Sequence, residues 1–400
     1  MIFGTDISKF RNDFSILKDD IIYFDSACMT FKPRQVVGKI NEYYNEYAAC
    51  AGRSSHHLAK QVGFEMDKAR LEVKKFINAK YNEEIIFTRN ATEGLNIVAN
   101  CLNFEKGDEI IISDKEHNSN LIPWLKLSKK VGIVVKVVDS KPDNTFDLDK
   151  FKSLLSARTK LVSIVHISNL DGVENPIKNI SKIVHEHGSL FMVDGAQSVP
   201  HIKVDVRKLG VDFLCFSGHK MCGPTGTGVL YGRRGLLEAM DPFIVGGGTV
   251  VDSNYTNYEF CGLPIKFEAG LQDYAGIIGL GEACKYLRKI GLKKIHEHEI
   301  KLNKIITSGL KDYVEIIGPI DYKLRGGIFC FYIKGIDSHN VARILNASKK
   351  ICVRSGVYCV HSWFNKHNLK GSVRASLYFY NTEEEARVFV DEVKKVCKLG

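Results

Sequence analysis

The chain has 400 residues, of which 44% are hydrophobic and 26% are charged, a composition that excludes disorder, collagen and coiled coil and suffices for one large or two medium domains. The 56 basic and 46 acidic residues leave a formal charge of +10, but lysines are interspersed with acids along the chain. We therefore interpret the charge as a solvated surface and expect no nucleic-acid partner.

From about Tyr23 to Tyr231, short apolar runs alternate with amphipathic stretches. Such alternation predicts an α/β domain with a mainly parallel sheet that helices cover on both faces. The predicted strands are 84–87, 109–112, 133–138, 161–165, 190–193 and 213–216. Helical spacing is clear at 92–102 and 179–187. Ligands of such sheets bind beyond the carboxyl ends of the strands, so we expect the chemistry there.

The pattern changes after residue 270, where a smaller α+β unit is predicted. A long helix is expected over 274–310 and a final helix after Thr382, which is a good N-cap. The predicted strands between these helices lie near 314–317, 328–333, 351–354 and 373–379.

These elements divide the chain into a large domain, 21–270, and a small C-terminal domain, 271–400. We expect the N-terminal segment, 1–20, to pack with the small domain. The stretch 246–270 begins with three glycines and is rich in Tyr, Asn and β-branched residues, which predicts a hairpin or an extended loop.

Two neighbouring predicted strands end in residues with reactive or charged side chains. The strand 190–193 leads into Asp194-Gly195-Ala196-Gln197, and the strand 213–216 leads into Ser217-Gly218-His219-Lys220. A buried carboxylate needs a partner, and a buried lysine is costly unless its amine is neutralised or used covalently. A lone Asp in this position would be interpreted as a loop cap, but the second strand end weakens that alternative.

A third strand end supplies an anion site. The strand 84–87 leads into Thr88-Arg89-Asn90-Ala91-Thr92, where the first turn of a helix offers free N–H groups and a hydroxyl. Many helices begin with a Thr, so this signal is weak alone. Beside Lys220 and Asp194 it predicts a site for pyridoxal 5'-phosphate (PLP), with Lys220 as the Schiff-base lysine, Asp194 on the pyridinium nitrogen and the phosphate at the helix start.

These motifs, with Glu116-His117 and Gly223-Pro224-Thr225-Gly226, resemble the PLP-dependent class V aminotransferase family, and within it the SufS-type (group II) cysteine desulfurases. The resemblance runs from Tyr23-Phe24-Asp25-Ser26-Ala27 to Arg374-Ala375-Ser376-Leu377. It implies PLP fold type I, which is aspartate aminotransferase-like, with a large domain around a mainly parallel sheet and a smaller α+β C-terminal domain.

The resemblance also assigns residues to the cofactor. His117 would stack on the PLP ring, although a histidine in a surface loop is the simpler interpretation of that residue alone. The other residues that would contact the cofactor, besides Lys220 and Asp194, are Ala91, Thr92, Asn169, Gln197, Ser217 and His219. Where family members carry two adjacent threonines, this chain has Ala91-Thr92, and Leu271 replaces a threonine that would reach the partner subunit's phosphate.

The substrate would be held by Arg374, which clamps the α-carboxylate, with Asn169 and Arg53 near it. Arg374 lies in an apolar strand, where a charge is costly unless it is paired, so an internal Asp or Glu is an alternative partner.

Cys359 is the predicted nucleophile. It follows a strand and a Gly turn and precedes Arg374 by fifteen residues, a spacing that resembles the SufS type. With eleven cysteines in the chain, packing is the general alternative and is expected for Cys352. Val357-Tyr358 replaces the histidines that usually precede this cysteine.

The resemblance implies a homodimer that converts L-cysteine to L-alanine and a Cys359 persulfide, which passes to an acceptor or scaffold protein, as in Fe–S cluster assembly. A thiolate suits the attack on sulfur. Selenocysteine lyase and class V aminotransferase remain alternatives on the same scaffold, and an inactive binding or scaffold homologue is a further one.

Membranes and metals are not expected. No apolar run is long enough to cross a bilayer and the N-terminus lacks the pattern of a signal peptide, which predicts a cytoplasmic protein. The cysteines form no C-x-x-C pair. The His-Glu-His triplets at 185–187 and 296–298 split their imidazoles across a helix, so we predict no metal site.

Overall fold

The computed structural model describes residues 7–18, 20–52 and 54–399. Arg53, a predicted substrate-binding residue, lies outside the described residues. Among the described helices, none is long and apolar enough to cross a membrane.

The strands of the described residues are β1 Ile22–Phe24, β2 Ile85–Thr88, β3 Glu109–Ser113, β4 Val134–Val138, β5 Thr159–Val165, β6 Leu190–Asp194, β7 Phe213–Ser217, β8 Gly228–Gly232, β9 Val250–Ser253, β10 Tyr258–Phe260, β11 Glu315–Ile317, β12 Ile328–Tyr332, β13 Ile351–Gly356 and β14 Ser372–Ser376. The α-helices are α1 Arg34–Glu46, α2 His57–Ile77, α3 Ala91–Cys101, α4 Ile122–Val131, α5 Leu148–Leu154, α6 Ile177–Glu186, α7 Val206–Leu209, α8 Arg234–Ala239, α9 Tyr274–Ile290, α10 Leu292–Leu310, α11 Ser338–Lys349, α12 His361–Lys366 and α13 Glu383–Cys397.

The large sheet of the described residues has the strand order β2-β8-β7-β6-β5-β3-β4. Its neighbours pair in parallel from β7 to β4, whereas β8 is antiparallel to both β7 and β2. Alternate residues of β7 enter different cores, since Leu214 and Phe216 pack in one cluster and Phe213 and Cys215 in the other. Both faces are therefore covered, which confirms the predicted α/β architecture.

The smaller sheet has the order β1-β13-β14-β12-β11. Its core contains apolar residues of α10, α11 and α13. Thr382 caps α13 as expected, through a hydrogen bond from the Glu385 N–H at 3.1 Å. The prediction of one continuous helix over 274–310 was wrong. Gly291 has a φ of +95° and separates α9 from α10.

Two elements make contacts across the predicted domain boundaries. Strand β1 lies within the range predicted for the large domain, 21–270, but pairs in parallel with β13 of the smaller sheet. Helix α9 packs against α1 and α2 of the large sheet's helical layer. The division of the chain at residue 270 remains a proposal.

Strands β9 and β10 form an antiparallel hairpin within the stretch 246–270. Glu268, near the end of this stretch, makes a bidentate pair with Arg70 of α2, at 2.8 and 2.9 Å, and accepts the N–H of Phe87 in β2 at 2.8 Å. Because both side chains are buried, this pair anchors the base of the stretch to the large domain.

Candidate active site

The carboxyl ends of β5, β6 and β7 open into a cavity of about 610 Å³, which the end of β13 and the loop between β13 and α12 line from the side of the smaller sheet. Every predicted site residue in the described part of the chain lines this cavity. These residues are Ala91, Thr92, His117, Asn169, Asp194, Gln197, Ser217, His219, Lys220, Cys359 and Arg374.

Lys220 and Asp194 come from adjacent parallel strands. Asp194 ends β6 and is buried, and one of its carboxylate oxygens accepts the N–H of Ala196 at 2.9 Å. Lys220 ends the tight turn Gly218–Lys220 that follows β7. Burial raises the pKa of the Asp194 carboxyl and lowers the pKa of the Lys220 amine, while the attraction between the two groups opposes both changes. A lowered pKa leaves more of the lysine as the neutral, nucleophilic amine.

The start of α3 faces the same cavity. Ser217 holds it in place, because its hydroxyl oxygen accepts the N–H of Ala91 at 2.8 Å. Asn90 is the N-cap and accepts the N–H of Glu93 at 3.0 Å. The hydroxyls of Thr92 and Ser119 are hydrogen-bonded at 2.7 Å. A helix start with hydroxyls beside it is a site for an anion such as a phosphate.

Two histidines of the cavity are neutral at physiological pH. The pKa of His117 is lowered to about 3 by burial and by the positive charges of Lys220 and Arg374. The pKa of His219 is lowered to about 4, again by burial and by Lys220. The Nδ1 atom of His117 accepts the N–H of Ser119 at 3.1 Å, which fixes the ring at the cavity wall.

Two buried amide side chains each have a free end. Asn169 donates to the carbonyl of Tyr358 at 2.9 Å, and Gln197 donates to the carbonyl of Ala27 at 2.7 Å. Their side-chain oxygens, Oδ1 of Asn169 and Oε1 of Gln197, have no protein hydrogen-bond partner among the described residues. Buried polar atoms of this kind are normally satisfied, so the cavity is suited to a polar ligand.

Arg374 is buried on β14 and does have an internal carboxylate partner, as the alternative interpretation allowed. Its Nη2 is 3.3 Å from an oxygen of Asp25, and its Nη1 donates to the carbonyl of Asn169 at 2.9 Å. A guanidinium has more N–H donors than these two bonds use, and Nε has no protein partner among the described residues. Arg374 can therefore still bind a carboxylate in the cavity.

Cys359 is exposed at the cavity mouth, in the loop between β13 and α12. Tyr358 and Cys359 have positive φ values of 50° and 60°, which is costly for residues with a side chain. The loop is held by hydrogen bonds on both sides, since Asn118 donates its N–H to the Cys359 carbonyl at 2.7 Å and Asn169 binds the Tyr358 carbonyl. Cys352, by contrast, is partly buried outside the cavity.

Three residues with roles in this arrangement were missed as site residues by the sequence analysis. Asp25 pairs with Arg374, Tyr358 packs against the same guanidinium, and Cys28 is a second thiol in the cavity wall. Asp25 belongs to the motif Tyr23-Phe24-Asp25-Ser26-Ala27, whose resemblance to the family was the available signal, and Cys28 is the next residue after it. Among the described residues no cluster of His, Cys, Asp or Glu is arranged to hold a metal ion.

Comparison with known proteins finds a family and relatives that match nearly the whole chain. The model of the family "Aminotransferase class-V" matches residues 22–389. A probable cysteine desulfurase of Synechocystis is 40% identical over 97% of this chain and 95% of its own length. A probable cysteine desulfurase of Methanothermobacter thermautotrophicus is 38% identical over 98% of both chains.

Two solved structures have the same fold. The apo cysteine desulfurase of Thermococcus onnurineus NA1 is 37% identical and superposes with a TM-score of 0.94 over 98% of both chains. The cysteine desulfurase CsdA of Escherichia coli, in an S-sulfonic acid form, is 31% identical with a TM-score of 0.92 over 98% of both chains. These similarities confirm the fold type that the resemblance implied.

Proposed function

The chain belongs to the class V aminotransferase family, and we propose that within this family it is a cysteine desulfurase, which takes sulfur from L-cysteine and leaves L-alanine and a persulfide on Cys359. The observation that carries the proposal is an exposed thiol on the same cavity as a partly buried lysine, a buried strand-end carboxylate and a buried arginine. An aminotransferase would have no use for that thiol.

Enzymes of this family use PLP, and the residues of the cavity fit it. Lys220 would hold the cofactor covalently, Asp194 would neutralise its ring nitrogen, and the start of α3 with Ser217 and His219 would hold its phosphate. Asn169 and Gln197 have free amide oxygens on the same cavity. When bound, the cofactor supplies an electron sink that stabilises negative charge at the substrate's α-carbon.

The protein's own groups would then share the work on L-cysteine. Arg374 pairs with the α-carboxylate through its remaining N–H donors. The Lys220 amine, whose pKa burial lowers, removes the α-proton. The Cys359 thiolate attacks the substrate sulfur, so that an S–S bond forms while the C–S bond of the substrate breaks. The electron pair of that bond stays on the β-carbon, which gains a proton to become a methyl group. Lys220 returns a proton to the α-carbon, and the product is alanine.

The first test is the turnover of L-cysteine by the PLP-loaded protein in the presence of a thiol reductant. Alanine and sulfide are expected in equal amounts, because the reductant releases the sulfur of each persulfide as sulfide. Quantitative amino-acid analysis and a sulfide assay give the ratio. A protein that consumes cysteine only when a keto acid is added, and forms no sulfide, would instead be an aminotransferase.

We further propose a cytoplasmic homodimer. Apolar side chains are exposed around the stretch 246–270, including Phe243, Val245, Val251, Tyr258 and Leu271, and the exposed fraction of Leu271 is 74%. A group of exposed apolar residues of this kind is typical of an interface. We expect sedimentation at micromolar concentration to give twice the mass of one chain, and Val251→Asp with Leu271→Asp to shift it towards the monomer. A wild type that sediments only as a monomer contradicts the proposal.

The persulfide needs an acceptor that can reach Cys359. Since hydrogen bonds from Asn118 and Asn169 hold the loop on both sides, the thiol is presented in a fixed position instead of on a long mobile arm. This geometry favours an acceptor or scaffold protein that comes to the cavity mouth, for example in Fe–S cluster assembly.

A further inference from the structure

Tyr358 contacts the arginine that we assign to the substrate carboxylate. The guanidinium carbon of Arg374 is 4.7 Å from the centre of the Tyr358 ring, a cation–π distance, and both side chains are buried. The ring is fixed at its far end, because its hydroxyl oxygen accepts a hydrogen bond from the hydroxyl of Ser372 at 3.0 Å. The ring therefore forms the wall against which the guanidinium rests.

The backbone of Tyr358 belongs to the same network. Its carbonyl accepts the side-chain N–H of Asn169 at 2.9 Å, and the backbone carbonyl of Asn169 accepts Nη1 of Arg374 at 2.9 Å. Tyr358, Asn169 and Arg374 thus form a closed circuit of contacts. Since Cys359 is the next residue, the position of the thiol is tied to that of the guanidinium.

We propose that Tyr358 is a positioning residue, which sets the distance and direction between the carboxylate-binding guanidinium of Arg374 and the sulfur-accepting thiol of Cys359. This inference rests on the proposed function. When the carboxylate of the substrate L-cysteine is bound to Arg374, the length of the substrate sets the distance from Arg374 to the substrate sulfur. The Cys359 thiol must lie next to that sulfur to attack it. In near-attack geometry, small displacements are costly in rate.

The competing explanation is that Tyr358 only packs in the core, and the structure distinguishes this role from positioning. Tyr358 does pack in an apolar cluster with Leu170, Cys330, Trp363 and Phe364, and Tyr332 borders this cluster. Among the ring contacts of the described residues, however, only that of Tyr358 is made with Arg374. A change at Tyr332 disturbs the packing at the border of the same cluster without removing a contact to Arg374.

The kinetic test compares Tyr358→Leu, Tyr358→Phe and Tyr332→Leu, each loaded with PLP. The aliphatic variant loses the cation–π contact, and kcat/KM for L-cysteine should fall roughly 10- to 30-fold, with a higher KM as well as a lower kcat. Tyr358→Phe keeps the ring and should restore most of this loss. Tyr332→Leu should leave both constants near those of the wild type.

A second readout measures the geometry without turnover. Iodoacetate carries a carboxylate and iodoacetamide does not, so the ratio of their rates at Cys359, followed by peptide mass spectrometry, reports how well a carboxylate held by Arg374 meets the thiol. Cys50, which is exposed outside the cavity, is the internal reference. We expect a ratio at Cys359 well above that at Cys50 in the wild type and in Tyr358→Phe, and a clear fall in Tyr358→Leu.

The outcomes separate this inference from the proposed function. An unchanged alkylation ratio in Tyr358→Leu, or equal kinetic losses in Tyr358→Leu and Tyr332→Leu, would overturn the positioning role. A wild type that forms no alanine would overturn the proposed function, while the alkylation ratio would still decide whether Tyr358 aligns Arg374 with Cys359.

Discussion

Lys220→Ala is expected to abolish the formation of alanine from L-cysteine, with a loss of at least about 10³-fold in kcat, because in the proposed mechanism one amine both holds the cofactor and moves the α-proton. Burial lowers the pKa of this amine, which keeps it available in the neutral form that both tasks need. Lys220→Arg should be no better, since a guanidinium stays charged and forms no covalent link under these conditions.

The covalent attachment of the cofactor to Lys220 can be measured separately from turnover. After reduction with borohydride, the wild-type peptide that contains Lys220 should carry the mass of the reduced cofactor, and the variant peptide should not. Lys32→Ala is the matched control, because burial lowers the pKa of Lys32 as well, yet this side chain does not line the cavity. If the cofactor is found on another lysine, or if Lys220→Ala retains turnover, the assignment of Lys220 is wrong.

The sequence was sufficient to predict the large-domain half of the site, for a topological reason. Adjacent parallel strands bring their carboxyl ends to one edge, so Asp194 and Lys220 could be placed together once β6 and β7 were predicted. Ser217 and the start of α3 followed from the same rule, since β2 ends at this edge of the sheet.

The half of the site that the smaller sheet contributes depends on long-range contacts, which no local sequence pattern predicts. Asp25 reaches Arg374 because the chain beyond β1 forms a bridge with Ser376, a pairing between residues 351 positions apart (376 − 25). The contact of Tyr358 with Arg374 arises from a turn with positive φ values, which no side chain of that segment favours. The break at Gly291 likewise depends on a single residue in an otherwise helical pattern.

Two thiols of the described residues line the cavity, and this makes Cys359→Ala the sharpest test of the proposed chemistry. Both Cys28 and Cys359 lie near enough to Lys220 to oppose the lowering of its pKa, so proximity to the lysine does not decide between them. Exposure decides between the two thiols, because a persulfide must be accessible to an acceptor. Cys359 is exposed at the cavity mouth, whereas Cys28 is partly buried. The backbone at Cys359 is also fixed, because Asn118 donates to its carbonyl and Asn169 donates to the carbonyl of the preceding residue, Tyr358.

We therefore expect Cys359→Ala to lose alanine formation about 10²-fold or more, and to carry no extra sulfur when turnover is stopped without reductant and the peptides are weighed. Cys28→Ala should retain the activity and still yield a Cys359 peptide heavier by one sulfur atom. The reverse pattern, with loss in Cys28→Ala and persulfide on Cys28, would move the nucleophile to the inner thiol. Alanine formation in both single variants and in the double variant would mean that sulfur leaves without a protein persulfide, as in a lyase. Of the two thiols that the described residues place in the cavity wall, Cys359 is the exposed one, so we propose that it combines attack inside the cavity with transfer to a partner outside it.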